Sequence, residues 1–160
     1  MAAFATLIDR ALDRLQKLAR WLVIPVFVLL CLQWPLRDFV QRFSREANDL
    51  GQLLFAIYVA VAVTAATRAG AHLAADAVAR RYSAQVKLWL SRGCAALVLA
   101  PCGIFLGLSG GPMILNSLGL LERFGDTGNA GYFVVKLALW LLAACMILAA
   151  VAEIVRRDGT

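Results

Sequence analysis

Four long apolar stretches, separated by polar segments, dominate the pattern along the chain. They cover residues 18–36, 50–67, 93–115 and 132–152. A helix needs about 20 mostly apolar residues to cross the roughly 30 Å of hydrocarbon in a bilayer, and each stretch approaches or exceeds that length. The stretches lack the alternation of a barrel strand, so helices are the structures that satisfy their backbone groups in lipid. The pattern predicts an all-α integral membrane protein, a single membrane domain (residues 1–160) with four transmembrane helices.

Two amphipathic segments accompany the predicted spans. Before the first span, apolar residues such as Ile8 and Leu12 recur at helical spacing, and charged residues fill the other face. This pattern predicts an amphipathic N-terminal extension that lies on the inner leaflet or packs on a partner. Between the second and third spans, residues 68–92 interleave five basic residues with apolar ones. They predict an amphipathic cytoplasmic connector, held partly by anionic phospholipid.

Local signals refine two of the spans. Asn48 or Asp49 occupies the position of an N-cap immediately before the second span. The third span contains two prolines and several glycines, and these predict a bend or close helix packing. The spacing of Gly103 and Gly107 is that of a GxxxG motif, which in other proteins brings two helices together.

Composition and charge support a membrane protein and indicate its orientation. Hydrophobic residues make up 62% of the chain and charged residues 16%, against about 25% charged in soluble domains. The basic residues behind the net charge of +6 lie at the ends of the apolar stretches and form no single polar face, so no nucleic-acid partner is expected. With both termini in the cytoplasm, most of them lie on the cytoplasmic side, as the positive-inside rule requires. Charges in the first twenty positions argue against a cleavable signal peptide.

The sequence lacks the residues that redox or transport chemistry in a small membrane bundle requires. The chain has one histidine, so haem ligation by two histidines is excluded. Its four cysteines lie within predicted spans without a CxxC spacing. Apart from Arg20, the third residue of the first stretch, Lys136 is the one charge inside an apolar stretch, and it is close enough to the outer end for the ammonium to reach the interface. No P-loop or zinc-ligand pattern is present. We therefore expect no catalytic residues, no cofactor site and no metal site.

A stripe of polar residues begins at the inner end of the second span. If the helix continues, four side chains recur at i, i+4 intervals: Arg68, His72, Asp76 and Arg80. The stripe can form its own ion pairs at the headgroup level or receive charges from another subunit. We interpret His72 as a neutral interfacial group, with a pH sensor as the minor hypothesis. In the second outer loop, Glu122, Arg123 and Asp126 form either a docking surface for a periplasmic protein or a solvated connector.

These residues also carry a family resemblance. Arg37 follows the first span, the segment NDL (48–50) begins the second, and RAGAHLAAD (68–76) ends it. The arrangement resembles the small membrane subunit of tripartite ATP-independent periplasmic (TRAP) transporters, the DctQ-like family. In that family an outer arginine, a Glu-Glu-Leu element and an Arg followed by Gly-His-Ile-x-x-Asp occupy these places. Here Asp49 replaces a glutamate, and Ala71 replaces the glycine before the histidine.

The resemblance implies a non-catalytic scaffold in the bacterial inner membrane. Its partners would be a large elevator-type membrane subunit and a periplasmic binding protein, which together take up an organic acid with sodium. Sodium would bind the large subunit. The resemblance also implies interface or positioning roles for matched and neighbouring residues, namely Arg37, Asp49, Arg68, His72, Asp76 and Arg80. The alternative is an independent four-helix transporter or assembly factor that homodimerises through Gly103 and Gly107.

Overall fold

The computed structural model describes residues 2–39, 44–69 and 82–155, and helices dominate these residues. The helices are α1 (Ala2–Asp38), α2 (Arg45–Arg68), α3 (Ala84–Cys94), α4 (Ala100–Gly119) and α5 (Tyr132–Val155), with a π-helical turn (Ala95–Leu99) joining α3 to α4. Within the described residues, four helices are long and apolar enough to cross a membrane, and α3, the π-helical turn and α4 count as one of them. The predicted all-α class with four membrane-spanning helices is confirmed.

The predicted extension and the first span form one continuous helix. α1 has 37 residues and is about 55 Å long, at 1.5 Å per residue. Ile8 and Leu12 are buried in a core with Cys145, Ala149 and Ala152 of α5. Part of the apolar face of the extension is therefore covered by the chain's own last helix. Leu7 is 66% exposed and Ala11 is also exposed, so for the rest of this face contact with the inner leaflet or with a partner stays a prediction.

α2 begins one turn earlier than the sequence pattern indicated. Ser44 is the N-cap, with extended backbone (φ −90°, ψ 106°), and its hydroxyl accepts the backbone N–H of Ala47 at 3.2 Å. The prediction of an N-cap at Asn48 or Asp49 is wrong, since both residues already lie inside the helix. Asp49 is consequently available for contacts outside its own helix.

In the third span, where the prolines and glycines predict a bend or close helix packing, a π-helical turn ends two residues before Pro101. In this turn the N–H of Ala100 donates to the carbonyl of Ala95, one residue further back than in an α-helix. Proline has no N–H to donate, and a local change of helix type accommodates the missing hydrogen bond. The helix then continues through Pro112 to Gly119.

α5 is the central helix of the bundle, in contact with α1, α2 and α4. A Cβ at Gly103 would lie 2.9 Å from Cγ1 of Ile147 and 3.2 Å from the carbonyl oxygen of Ala143, so α4 meets α5 at close range. The Trp140 side chain of α5 donates its indole N–H to the carbonyl of Gly107 at 3.1 Å. Gly103 is thus covered by α5 and Gly107 is partly covered by it, so α5 occupies much of the face that the homodimer alternative assigned to a second copy.

Candidate functional site

An ion-pair cluster holds the N-terminal extension at one end of the bundle. Nη2 of Arg68, at the last residue of α2, donates to Oδ1 of Asp9 at 2.7 Å, and Nη1 donates to Oδ1 of Asp13 at 2.9 Å. The two aspartates are four residues apart on α1, so they face the same side of the helix. We call Asp9, Asp13 and Arg68 the inner cluster, after the predicted orientation. It ties α1 to the end of α2.

A cavity of about 480 Å³ opens beside the inner cluster. Arg68 of α2, Ser91 of α3 and Glu153 of α5 contribute its polar lining, and residues such as Val98 and Ala149 contribute apolar walls. The Ser91 hydroxyl donates to Oε1 of Glu153 at 2.6 Å, so this end of α5 is tied to α3. This hydrogen bond joins two of the three helices that line the cavity, and Arg68 of the third is bound to α1.

A second cluster lies at the opposite end, between α4, the following loop and α5. Glu122 accepts a hydrogen bond from the Ser117 hydroxyl at 2.5 Å and forms an ion pair with Lys136. The Lys136 ammonium also lies 5.3 Å from the centre of the Tyr132 ring. We call Ser117, Glu122 and Lys136 the outer cluster. The charge inside the last apolar stretch, on Lys136, is thus directed to the end of the bundle and neutralised there.

The electrostatics of the outer cluster favour the ionised carboxylate. The hydrogen bond from Lys136 lowers the pKa of Glu122 below its ordinary value of 4.5, and the hydrogen bond from Ser117 lowers it further. Glu122 therefore remains charged at neutral pH. Its ion pair provides Lys136 with a counter-charge at the membrane boundary.

The backbone around Glu122 forms a Schellman cap at the end of α4. The N–H of Glu122 donates to the carbonyl of Ser117 at 3.0 Å, and the N–H of Leu121 donates to that of Leu118 at 3.1 Å. Leu121 occupies the left-handed position, with φ of 45°, where glycine is usual. An apolar contact commonly accompanies this motif; here the Ser117–Glu122 hydrogen bond joins the same two positions.

Asp49 fastens the outer loop onto α2. The residue is 7% exposed, and its Oδ2 accepts hydrogen bonds from the Thr127 hydroxyl at 2.5 Å and, more distantly, from the Asn129 amide at 3.5 Å. A carboxylate in the first turns of a helix also suits the positive end of the helix dipole. The aspartate in place of the family's glutamate therefore makes contacts within the chain.

The structure describes some of the remaining predicted site residues fully, one in part and others not at all. Arg37 lies in the last turn of α1, and its side chain is outside the described part of the structure. The stripe residues His72, Asp76 and Arg80 lie outside the described residues. Arg123 is exposed and donates from Nη1 to the carbonyl of Gly128 at 3.1 Å, and Asp126 is exposed.

The sequence pattern did not indicate the residues that bind Arg68 and Asp49. Arg68 was expected to act with the residues after it, whereas its described partners are Asp9 and Asp13, more than fifty residues earlier. The i, i+4 spacing of the two aspartates is the signal that could have indicated a paired site. Thr127 and Asn129 gave no such signal, because a loop rich in turn-forming residues contains them for local reasons.

The arrangement links helices and offers no reactive constellation. Among the described residues, no group of three or more histidine, cysteine, aspartate or glutamate side chains could hold a metal ion. The polar contacts join the ends of helices to one another or to the outer loop, which is what a bundle of fixed shape requires.

The model of one protein family matches most of the chain. It is the DctQ component of tripartite ATP-independent periplasmic transporters, and it matches residues 26–159. The chain belongs to the DctQ family. No curated protein and no solved structure matches it significantly. As a DctQ component it is a small, non-catalytic subunit of a TRAP transporter and a multi-pass membrane protein.

The family match includes the whole outer cluster but only part of the inner cluster. Asp49, Arg68 and the outer cluster lie within residues 26–159, and Asp9 and Asp13 precede them. The inner cluster therefore joins a family-matched arginine to two aspartates that the match does not include. DctQ components work with a large membrane subunit and a periplasmic binding protein.

Proposed function

We propose that the chain scaffolds the large, elevator-type membrane subunit of a TRAP transporter in the bacterial inner membrane. That subunit would take up an organic acid with sodium, after a periplasmic binding protein delivers the acid. The small subunit would bind the fixed part of its partner and contribute no substrate or sodium site.

The observation that carries this proposal is the fixing of both ends of the bundle by polar contacts within the chain. The inner cluster joins α1 to α2, and the outer cluster joins α4 and its loop to α5. A proton-coupled transporter usually has an ionisable group deep inside a span. Lys136, the charge nearest the interior, is instead paired with Glu122. This pairing supports a static role.

The exposed surface of the bundle supports a partner within the membrane. Large apolar side chains project from α1 and from the helix through α4, for example Trp21, Phe27, Phe105 and Leu108. Lipid or another membrane subunit can cover such a surface. For a component of a three-part transporter, we infer that the large subunit covers part of it.

Co-purification tests the partnership. The tagged chain, extracted in mild detergent, should retain a membrane protein of the large-subunit class at equal stoichiometry. Replacement of Lys136 by methionine, which has a similar length and no charge, should leave sodium-dependent uptake by the reconstituted complex unchanged per assembled complex. Lost sodium coupling in an intact complex of this variant would show that the chain takes part in transport chemistry.

A further inference from the structure

A small crevice separates α1 from α2 in the inner half of the bundle. Its volume is about 200 Å³. Three polar side chains line it, Gln16 and Arg20 from α1 and Tyr58 from α2, and the walls are small apolar residues such as Ala19 and Val61. The lining includes a cation and two neutral polar groups but no carboxylate. The crevice therefore presents chiefly hydrogen-bond donors.

The crevice lies beside the apolar part of α2. Between Asp49 and Arg68, α2 carries no charged residue. This interval is about 28 Å long at 1.5 Å per residue and is close to the thickness of the hydrocarbon layer. Val61, beside Arg20, lies about 10 Å before Arg68 along the helix. Arg20 is therefore a cation beside a membrane-spanning surface, where a charge requires a counter-charge or a route to the interface.

The charge around Arg20 is positive. Arg10, Arg14 and Lys17 precede it on the same helix, and both nearby aspartates of α1 bind Arg68. Within the part of the chain that the structure describes, none of these four cations forms an ion pair. The segment therefore attracts an anion from outside the chain.

The surface that continues from the crevice is apolar. Ile24 and Phe27 follow Arg20 at i+4 and i+7, so they extend the same face of α1 toward the centre of the bundle, and they are 55% and 65% exposed. A charged site that leads into an exposed apolar stripe matches a phospholipid, with its phosphate at Arg20 and an acyl chain along the stripe. A lone carboxylate of a partner protein would make no use of this stripe.

We propose that the crevice is a binding site for an anionic phospholipid. The guanidinium of Arg20 binds the phosphate, because its planar donors match phosphate oxygens, and Gln16 and Tyr58 donate further hydrogen bonds. Arg14 and Lys17 add attraction for the net negative headgroup. Gln16 and Arg20 precede the family-matched residues 26–159, and the site does not depend on the role in transport.

Native mass spectrometry of the full-length chain, released from detergent with added lipid, tests the proposal. Wild type should bind dioleoyl phosphatidylglycerol, and dioleoylglycerol, which has the same acyl chains and no phosphate, should not bind measurably. Arg20→Gln should weaken phosphatidylglycerol binding by about tenfold or more, because a hydrogen-bonded charge is lost. Tyr58→Phe should weaken it less. Arg45→Gln, at an exposed cation outside the crevice, is the control and should bind as wild type does.

Three outcomes would overturn the proposal. Equal binding of phosphatidylglycerol by wild type and Arg20→Gln would exclude Arg20 as the phosphate ligand. Equal binding of dioleoylglycerol would show that the site is only an apolar groove. If Arg20→Gln lost the large membrane partner and retained the lipid, the anion would be a partner's carboxylate. Arg20→Lys keeps the charge, so it should fold and retain part of the affinity even if Arg20→Gln does not fold.

Discussion

Loss of the arginine in the inner cluster should release the N-terminal extension from the bundle. Arg68→Gln removes the charge that both aspartates bind and leaves two carboxylates side by side. The apolar contacts of Ile8 and Leu12 with α5 then remain to hold the extension. The extension should detach more often, and the core beneath it should become accessible.

The size of the effect follows from the exposure of the three side chains. Arg68 is 20% exposed, Asp9 is 25% exposed and Asp13 is 55% exposed. Hydrogen bonds to charged groups contribute about 1.5–3 kcal/mol when buried, whereas exposed ion pairs contribute about 0–1 kcal/mol. The better buried Asp9 pair should contribute more than the Asp13 pair, for a sum of about 2 kcal/mol. This corresponds to a rise of about thirtyfold in the population of the detached state.

Cysteine labelling can measure this population. Cys145 is buried beneath the extension, and Cys31, Cys94 and Cys102 are exposed. In a background with the three exposed cysteines replaced by alanine, maleimide should modify Cys145 in detergent only when the extension detaches. Arg68→Gln should raise the labelling rate by about thirtyfold.

Two comparisons make the labelling result specific. Arg45→Gln removes an exposed arginine from the other end of α2 and should leave the rate unchanged. Asp9→Asn combined with Asp13→Asn should raise the rate about as much as Arg68→Gln, and adding the arginine replacement should raise it little further, because the same contacts are already lost. A folded Arg68→Gln protein that labels no faster than the control would refute the reasoning.

Three further predictions concern the other end of the bundle and the helix contacts. Gly103→Ala should lower the free energy of unfolding, measured by chemical denaturation, by about 1–3 kcal/mol, because its Cβ would lie 3.2 Å from a backbone oxygen of α5. Gly107→Ala should lower this free energy much less, because its Cβ would lie 3.8 Å from Cβ of Ala143. Leu121→Gly should raise the free energy of unfolding by about 1 kcal/mol by relieving a left-handed leucine, and Leu120→Gly, at φ −89°, should lower it. Because the pKa of Glu122 is lowered in the fold, its contribution to stability should be present above pH 4.5 and be lost as the pH falls through the lowered pKa; thermal unfolding of Glu122→Gln should lack this part of the acid dependence.

The four spans were predictable because a transmembrane helix is a local property of the sequence. Each stretch is by itself long and apolar enough to cross a membrane. The structure has a long apolar helix at each of the four stretches. The start of α2 was less predictable, since Ser44, Asn48 and Asp49 are all residue types that cap helices.

The partners of the charged residues were not predictable from spacing. The i, i+4 rule relates a residue to its neighbours on one helix, and so it directed attention from Arg68 to His72 and beyond. Asp9 contacts Arg68 because α1 and α2 pack antiparallel with a particular register, and Asp49 contacts Thr127 because the outer loop folds back over α2. Register and loop path are tertiary properties. The outward direction of Lys136 was predictable, whereas its partner Glu122 was not.

Uptake by reconstituted vesicles tests the scaffold role most directly. Vesicles would contain the purified chain alone, the large membrane protein that co-purifies with it, or both, each with an inward sodium gradient and the periplasmic binding protein loaded with substrate. If the chain is a scaffold, we expect no uptake by the chain alone and sodium-dependent uptake when both membrane subunits are present. Sodium-driven uptake by the chain alone would contradict it.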